Sequence, residues 1–217
     1  MGASGPTQAT YVDDVRQEVL DLVPPAARSV LDIGCGAGGF GRGLRRREPG
    51  VRIVGVEAVP ESAQRARDNG YDRVVEGYFP DQADELGERF DLIVLNDVLE
   101  HMVDPWTALA ATTGLLHPGG HVVASIPNIR YLPVLYDLLR RDQWTYSDWG
   151  VLDRTHLRFF TATTMRQLFE GAGLEVLAST GVNSAFDLAR WRRLRLLRGR
   201  TGSVEFMQFV VVARAAT

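Results

Sequence analysis

The chain has 217 residues, of which 45% are hydrophobic and 24% are charged, enough to bury the core of one good-sized domain. Its net charge of −3 provides no general basic field, and we expect no nucleic-acid partner. The single cysteine, Cys35, excludes an intrachain disulfide and a cysteine-based zinc site. Because the sequence contains neither a membrane-length apolar run nor a signal-peptide pattern, we expect a cytoplasmic protein, with a disordered tail at 1–9.

The hydrophobic pattern alternates between strands and helices along the rest of the chain, which we expect to form one domain over 10–217. The segment FDLIVLND at 90–97 is apolar on both faces, as a central parallel strand should be. This alternation predicts a doubly wound, mostly parallel α/β sheet with helices on both faces. In chain order, the predicted elements are a helix at about 11–23, strand 29–33, helix 39–47, strand 51–56, helix 60–69, strand 73–75, strand 90–97, helix 105–116, a turn at 118–120, a fifth strand ending near 128, helix 163–171, and strands 174–179 and 205–215.

The most informative stretch is LDIGCGAGG at 31–39, where a buried strand runs directly into a glycine-rich turn. Glycine permits positive φ and lets a ligand approach the backbone without a Cβ in the way. Asp32 lies at the carboxyl end of this strand, which is where open α/β sheets bind nucleotides. Glu57 closes the second strand, and an acid there can accept both hydroxyls of a ribose. The candidate binding residues of the turn are Gly34, Cys35, Gly36 and Gly38.

Two kinds of adenosine cofactor are consistent with this turn. Gly34, Gly36 and Gly39 satisfy the G-x-G-x-x-G dinucleotide pattern, so the glycines alone do not decide between them. A dinucleotide would place its pyrophosphate on the turn, where the Asp32 carboxylate would repel it. S-adenosylmethionine has no phosphate and presents an ammonium and a sulfonium instead. The position of Asp32 therefore favours S-adenosylmethionine over NAD.

The ordered series LDIGCGAGG, GVEAVP, FDLIVLNDVLEH and LLHPGGHVVASIPN resembles the class I S-adenosylmethionine-dependent methyltransferases. The resemblance is strong over about 29–126 and weaker over 162–215, and it implies a seven-stranded sheet with an antiparallel last strand. It assigns the methionine half of the cofactor to Asp32 and the turn glycines. It assigns the ribose to Glu57, with Ala58 beside it in the same motif.

The same resemblance places further residues around the cofactor. Asn96 and Asp97, after strand four, correspond to positions that flank the methionine and the methyl acceptor. Many relatives have an acid after strand three that binds the adenine amino group, but here Gly77 and Tyr78 stand there. Tyr78 is a candidate to stack on the adenine, and a surface position is the alternative.

Residues that could carry the reaction follow strand four. Asp97, Glu100 and His101 stand at i, i+3 and i+4 in DVLEH and share one face if a helix begins there. A further histidine, His156, lies in DRTHLRFFT. An alcohol acceptor must lose a proton, and a histidine with a near-neutral pKa is the usual base. The two histidines therefore indicate a hydroxyl acceptor.

The same side chains are also a plausible ligand set for Mg²⁺ or Mn²⁺. DVLEH with a later histidine resembles the Glu-x-x-Glu-His arrangement of small-RNA 2′-O-methyltransferases and of some ubiquinone-pathway O-methyltransferases. That resemblance would place an ion on Asp97, Glu100, His101 and His156. The alternative is an acid that orients a histidine without metal, and the sequence leaves both open.

Two insertions interrupt the core pattern. Residues 127–161 are rich in aromatic side chains, which favours a lid over the acceptor. SIPN followed by this segment and DRTHLRFFT resembles bacterial methyltransferases encoded near glycosyltransferases, so a sugar or glycosylated metabolite is the expected acceptor. The alternative acceptor is a phenol or catechol-type natural product or a quinone precursor.

The second insertion, at about 184–203, contains RWRRLRLLRGR at 190–200. With Leu188, Trp191, Leu194 and Leu197 on one side, this stretch predicts a basic amphipathic helix. Such a helix could bind a phosphate or nucleotide on the acceptor, an anionic membrane, or a second copy of the chain, and a solvated cover is the alternative. For the whole chain, O-methylation is the favoured function. An NAD-dependent oxidoreductase and a non-catalytic cofactor-binding module are the alternatives.

Overall fold

A computed structural model describes residues 14–25, 27–197 and 200–215 and arranges them around a seven-stranded sheet. The strand order is β3-β2-β1-β4-β5-β7-β6, and β7 runs antiparallel to both of its neighbours. The predicted doubly wound, mostly parallel sheet with an antiparallel last strand is confirmed. The strands are β1 (Ser29–Ile33), β2 (Arg52–Glu57), β3 (Arg73–Glu76), β4 (Phe90–Asn96), β5 (Leu116–Pro127), β6 (Leu174–Ser184) and β7 (Phe206–Ala215).

Helices pack on the sheet and form two large apolar cores with it. Strand β4 contributes to both cores, with Ile93 and Leu95 in one and Leu92 and Val94 in the other. This explains why its sequence is apolar without alternation. The α-helices of the described residues are α1 (Gln17–Leu20), α2 (Gly39–Arg47), α3 (Pro60–Asp68), α4 (Ala83–Leu86), α5 (Pro105–Gly114), α6 (Leu132–Arg141) and α7 (Ala162–Gly171).

Three elements differ from the sequence prediction. The helix expected at 11–23 is only the single turn α1 within the described residues, because Arg16 before it has a left-handed φ of 54°. The turn expected at 118–120 is instead a bulge inside β5, since Phe90 pairs with Leu116 whereas Leu92 pairs with His121. Within the insertion at 127–161, α6 is a helix that the hydrophobic pattern did not reveal.

The basic segment is not the amphipathic α-helix that the sequence predicted. It forms a 3₁₀-helix over Arg192–Leu197, while residues 198 and 199 lie outside the described ranges, as does the predicted tail at 1–9. Trp191 and Leu194 pack on a small core beneath it, but Leu188 and Leu197 at the two ends are exposed. Within the described ranges, no helix has both the length and the apolar character needed to cross a bilayer.

Candidate active site

A cavity opens at the carboxyl ends of β1, β2 and β4. The insertion at 127–161 and strand β7 supply further lining residues, among them Trp149, Val151, Met207 and Gln208. The cavity therefore brings most of the predicted cofactor-binding residues together with the two histidines expected to carry the reaction. The sequence-predicted residues that line it are Asp32, Gly34, Cys35, Gly36, Glu57, Asn96, Asp97, His101 and His156.

The loop after β1 is fixed to the end of β2 by backbone donors. The Gly34 amide donates to the Val56 carbonyl oxygen at 2.8 Å, and the Gly36 amide donates to Glu57 Oε2 at 2.8 Å. The other carboxylate oxygen of Glu57, Oε1, accepts from the Val59 amide at 2.9 Å. Glu57 is thereby held in one orientation at the cavity wall before any ligand binds.

Packing within the protein requires two of the glycines. A Cβ on Gly34 would lie 2.6 Å from Val98 Cγ2, and a Cβ on Gly38 would lie 2.9 Å from Ala66 Cα. Both residues also have positive φ, which favours glycine. Gly38 is not among the described residues that line the cavity; it allows α2 and α3 to approach closely, and its expected contact with the cofactor stays a prediction.

Asp32 is a buried carboxylate at the cavity. Tyr71 Oη donates to Asp32 Oδ2 at 2.5 Å, and Tyr71 is itself buried. Burial raises the pKa of Asp32 to about 7; the hydrogen bond from Tyr71 opposes this rise, and the negative charge of Glu57 adds to it. The sequence identified Asp32 but gave no sign of Tyr71 as its partner.

The two residues that follow one another at the end of β4 have different surroundings. Asn96 lines the cavity, and neither its Oδ1 nor its Nδ2 has a hydrogen-bond partner among the described residues. A buried amide without partners is costly, which makes Asn96 a strong candidate to bind a ligand. In Asp97, by contrast, Oδ1 accepts from Ser125 Oγ at 2.9 Å and Gln208 Nε2 at 2.8 Å. Its other oxygen forms a buried ion pair with Arg16.

The expectation that Asp97 shares a face with Glu100 and His101 is wrong. Asp97 has a left-handed φ of 53°, so no helix passes through it, and the short 3₁₀-helix Leu99–His101 begins only afterwards. The i, i+3, i+4 relation requires a continuous helix. Asp97 consequently belongs to the ion pair with Arg16 and is not part of the group formed by Glu100 and the histidines.

Glu100, His101 and His156 form a compact cluster beside the cavity. Each offers a ligand atom, and these atoms lie within 4.8 Å of one another. Glu100 Oε1 is 4.0 Å from His156 Nε2, and the two imidazole rings are 4.7 Å apart in an edge-to-face arrangement. Glu100 is only 1% exposed, and neither carboxylate oxygen has a hydrogen-bond partner among the described residues.

Hydrogen bonds orient both rings of the cluster. His101 Nδ1 is 3.2 Å from the Thr155 carbonyl oxygen, and His156 Nδ1 is 3.1 Å from the Val151 carbonyl oxygen. A carbonyl oxygen only accepts, so we assign the proton to Nδ1 in both rings, which leaves a lone pair on each Nε2. A backbone carbonyl that fixes the tautomer in this way is typical of histidines that act as bases or metal ligands.

Burial determines the charge state of the cluster. It raises the pKa of Glu100 to about 8, and it lowers the pKa of His101 and of His156 from the ordinary histidine value. At neutral pH both rings are therefore unprotonated, and the glutamic acid holds its proton. The cluster can accept a proton or a cation, but it carries no net charge before it does so.

Comparison with known proteins identifies the family. Residues 8–179 match the family model described as a methyltransferase domain, which covers well over half of the chain. The chain belongs to this methyltransferase family. Its predicted membership of the class I S-adenosylmethionine-dependent methyltransferases is confirmed, and S-adenosylmethionine is the cofactor that goes with it.

Among curated proteins, this methyltransferase is 32% identical over 176 residues to the ubiquinone biosynthesis O-methyltransferase of Ruegeria pomeroyi, covering 78% of this chain and 68% of that one. It is 34% identical over 117 residues to the protein of the same name from Alkalilimnicola ehrlichii. That match covers 52% of this chain and only 47% of the relative.

Among solved structures, the CcbJ methyltransferase from Streptomyces caelestis is similar to this methyltransferase with a TM-score of 0.68 at 20% identity, covering 99% of this chain and 100% of that one. The plantazolicin methyltransferase BamL, solved with S-adenosylhomocysteine, has a TM-score of 0.67 at 14% identity and covers 97% and 87%. At these identities the likeness shows the fold alone.

Some predicted residues of the methyltransferase lie elsewhere. Ala58 and Tyr78 do not line the cavity within the described part of the chain, and Tyr78 is 75% exposed, so stacking on adenine is not supported. Of the aromatic insertion, Trp149 lines the cavity, whereas Trp144 and Phe159 pack edge to face on each other. The insertion thus contributes to the cavity wall and also packs against itself, and its role as a lid stays a prediction.

Sequence reasoning also missed residues that line the cavity. Arg16 and Gln208 come from opposite ends of the chain and meet at Asp97, a contact that no local pattern reveals. Phe40 and Val59 add apolar surface to the cavity that Glu57 also lines. The position of Phe40 after the glycine loop, and of Val59 after Glu57, was the only available signal for these two residues.

Proposed function

We propose that this methyltransferase acts on an oxygen acceptor, a hydroxyl of a small molecule, with a histidine of the Glu100 cluster as the base. The observation that carries the proposal is that His101 and His156 line the same cavity as the glycine-rich loop after β1. Both rings are held with Nε2 available to accept a proton. An acceptor that is already nucleophilic would not need such a base.

The residues at the cavity suit S-adenosylmethionine, which would supply an electrophilic methyl group on its sulfonium. Asp32 would face the ammonium of the methionine part, and Glu57 would accept the ribose hydroxyls. The unpartnered amide of Asn96 would gain partners from the same ligand. Asp32 and Glu57 would hold the ligand in one orientation, and alignment is the main requirement of an in-line transfer from an activated donor.

One of the two histidines would take the acceptor proton at Nε2. A base with a lowered pKa is unprotonated at neutral pH and is ready to accept. For His156, the Glu100 carboxyl lies 4.0 Å away, and its carboxylate form would stabilise the imidazolium. The buried acid therefore has a role beside His156 even though it is not among the described residues that line the cavity.

A divalent ion is the second form of this proposal. The carboxylate oxygens of Glu100 and the free Nε2 atoms of both histidines are a suitable donor set for Mg²⁺ or Mn²⁺, and Asp97 is not part of it. An ion held there would lower the pKa of an acceptor oxygen. The names of the two ubiquinone biosynthesis O-methyltransferases compared above do not mention a metal, so the donor set carries this form of the proposal.

For the acceptor, the proposal is a phenol or catechol-type ring, such as a quinone precursor. The curated relatives are named as ubiquinone biosynthesis O-methyltransferases, and this supports the alternative rather than the sugar that the insertion motif favoured. Trp149, Pro127 and Met207 line the cavity and provide surface for a flat ring. The comparisons give no support to a sugar acceptor.

The test is methyl transfer by the full chain with S-adenosylmethionine and a panel of catechols, monophenols and sugars, monitored by mass spectrometry. We expect methylated catechol or phenol, and turnover that falls by about a hundredfold or more in His156→Ala with little change in affinity for S-adenosylhomocysteine. Methylated sugar with unreacted phenols would overturn the acceptor class. Wild-type turnover in both His101→Ala and His156→Ala would overturn the base.

A further inference from the structure

We propose that Tyr71 is a positioning residue for cofactor binding: its hydroxyl links the first turn of α2 to Asp32 and holds that carboxylate for the ammonium of the cofactor. The inference rests on the proposed contact between Asp32 and S-adenosylmethionine. It adds a residue that no motif of the sequence pointed to. Three observations carry it: the hydrogen bonds, the packing, and the position of Asp32 at the cavity.

The hydrogen bonds form a chain of three groups. The Gly41 amide, in the first turn of α2, donates to Tyr71 Oη at 3.1 Å, and Tyr71 Oη donates to Asp32 Oδ2 at 2.5 Å. Because the hydroxyl accepts from a helix N-terminal amide, it becomes a better donor to the carboxylate. Asp32 also lines the cavity, so its carboxylate is placed to contact a ligand there.

The packing shows that the tyrosine ring has a dedicated place. A Cβ on Gly41 would lie 2.3 Å from Tyr71 Cε2, and one on Gly55 would lie 3.1 Å from Tyr71 Cδ1. A Cβ on Gly38 would lie 3.0 Å from the same ring. Three glycines from the loop after β1, α2 and β2 therefore leave the space that this ring occupies, and Tyr71 accounts for the glycine at position 41.

The Tyr71 hydroxyl influences the charge state of Asp32. Asp32 is buried, and the titratable groups around it are Glu57, Cys35 and Tyr71 itself. Glu57 and burial both favour the protonated acid, and the Tyr71 hydrogen bond is the influence that favours the carboxylate. Since a cationic ammonium binds the ionised form, Tyr71 keeps Asp32 ready for the cofactor near neutral pH.

The experiment measures S-adenosylhomocysteine affinity by calorimetry from about pH 6 to about pH 8.5. The wild type should lose affinity as the pH falls through about 7, where Asp32 takes a proton. In Tyr71→Phe the affinity should be about tenfold or more lower at neutral pH, and the loss should occur at a higher pH. Tyr131→Phe, which alters another buried tyrosine away from Asp32, is the matched control and should match the wild type.

A double-mutant cycle separates this role from a structural one. In an Asp32→Asn background, Tyr71→Phe should have little further effect on affinity, because the carboxylate it serves is absent. Additive effects, or an unshifted pH midpoint in Tyr71→Phe, would overturn the inference. Circular dichroism of Tyr71→Phe at each pH confirms that the midpoint is read from folded protein, because the stability of this chain itself changes with pH. If the wild type binds no S-adenosylhomocysteine at all, the proposed cofactor site is at fault rather than Tyr71.

Discussion

Replacing Glu100 by glutamine should stabilise the metal-free protein at high pH while it removes activity. The unfolded chain ionises Glu100 near 4.5, whereas burial raises the pKa in the folded state to about 8. A carboxyl with a raised folded pKa binds more protons in the folded state than in the unfolded one. The free energy of unfolding therefore falls as the pH rises from 4.5 towards 8.

The structure sets the size of this effect. Each pH unit between the two pKa values contributes about 1.4 kcal/mol, so by pH 7 an ionisable Glu100 destabilises the folded state by about 3 kcal/mol. Because Glu100 is 1% exposed and its oxygens lack partners, solvent screening reduces this little. A buried glutamine without partners has its own cost of about 1–3 kcal/mol, but that cost does not change with pH.

The assay is urea unfolding of wild type and Glu100→Gln in excess chelator, at several values from about pH 5 to about pH 8. As the pH rises, the free energy of unfolding of the variant should increase relative to that of the wild type, by up to about 1.4 kcal/mol per pH unit. Glu61→Gln, at an exposed position on α3, is the control, and its free energy of unfolding should differ from that of the wild type by the same amount at every pH. A constant difference for Glu100→Gln as well would mean that the carboxyl is solvated in the folded state, contrary to the structure.

Added Mn²⁺ extends the same experiment. If the cluster holds an ion, Mn²⁺ should stabilise the wild type and leave Glu100→Gln nearly unchanged, because the variant has lost the only carboxylate of the cluster. Equal responses of the two proteins would exclude Glu100 as a ligand. Either result leaves the pH comparison in chelator intact, since that comparison contains no free ion.

Three further predictions concern the cofactor, the base and the acceptor. Glu57→Ala should weaken S-adenosylhomocysteine binding by about tenfold or more, since it removes the proposed ribose contact and the bonds to Gly36 and Val59; unchanged affinity by calorimetry would refute the ribose assignment. Turnover of the unmodified enzyme should fall as the pH drops through the histidine range, because a protonated ring can neither accept a proton nor bind an ion; a flat profile would contradict both forms of the proposal. Trp149→Ala should raise the acceptor KM and leave S-adenosylhomocysteine affinity unchanged, and the reverse pattern would place Trp149 at the cofactor instead.

Local sequence patterns predict much of the fold, and they also predict the residues proposed to bind the cofactor. A strand that runs into a glycine-rich loop has few alternatives, and Asp32 and Glu57 follow from the ends of their strands. What was missed depends on contacts between distant parts of the chain. Tyr71 is 39 positions from Asp32, and Gln208 is 111 positions from Asp97, so neither pairing has a local signature.

The error at Asp97 has a specific physical cause. The spacing in DVLEH suits a helix, and a helix would have placed the aspartate beside Glu100 and His101. In the structure the backbone turns to positive φ at Asp97, a conformation that aspartate tolerates better than most residues. Its carboxylate then meets Arg16, whose own φ is also positive. A spacing rule cannot anticipate a turn that a partner from the amino-terminal segment helps to stabilise.

The choice between a base and a metal site could not be made from residue types, because both uses require the same ones. A proton-accepting site needs neutral histidines and an acid that can compensate a new positive charge. An ion site needs neutral histidines and a carboxylate that partly neutralises the ion. In the structure Glu100 is buried, His156 is half-buried and His101 is exposed, and the raised pKa of Glu100 and the lowered pKa of both rings favour a neutral cluster at pH 7. Binding of a cation would displace the Glu100 proton. Removal of the ion by a chelator should therefore change the proton uptake of the cluster as well as the activity. Titration with and without Mn²⁺ distinguishes the two uses where residue identity cannot.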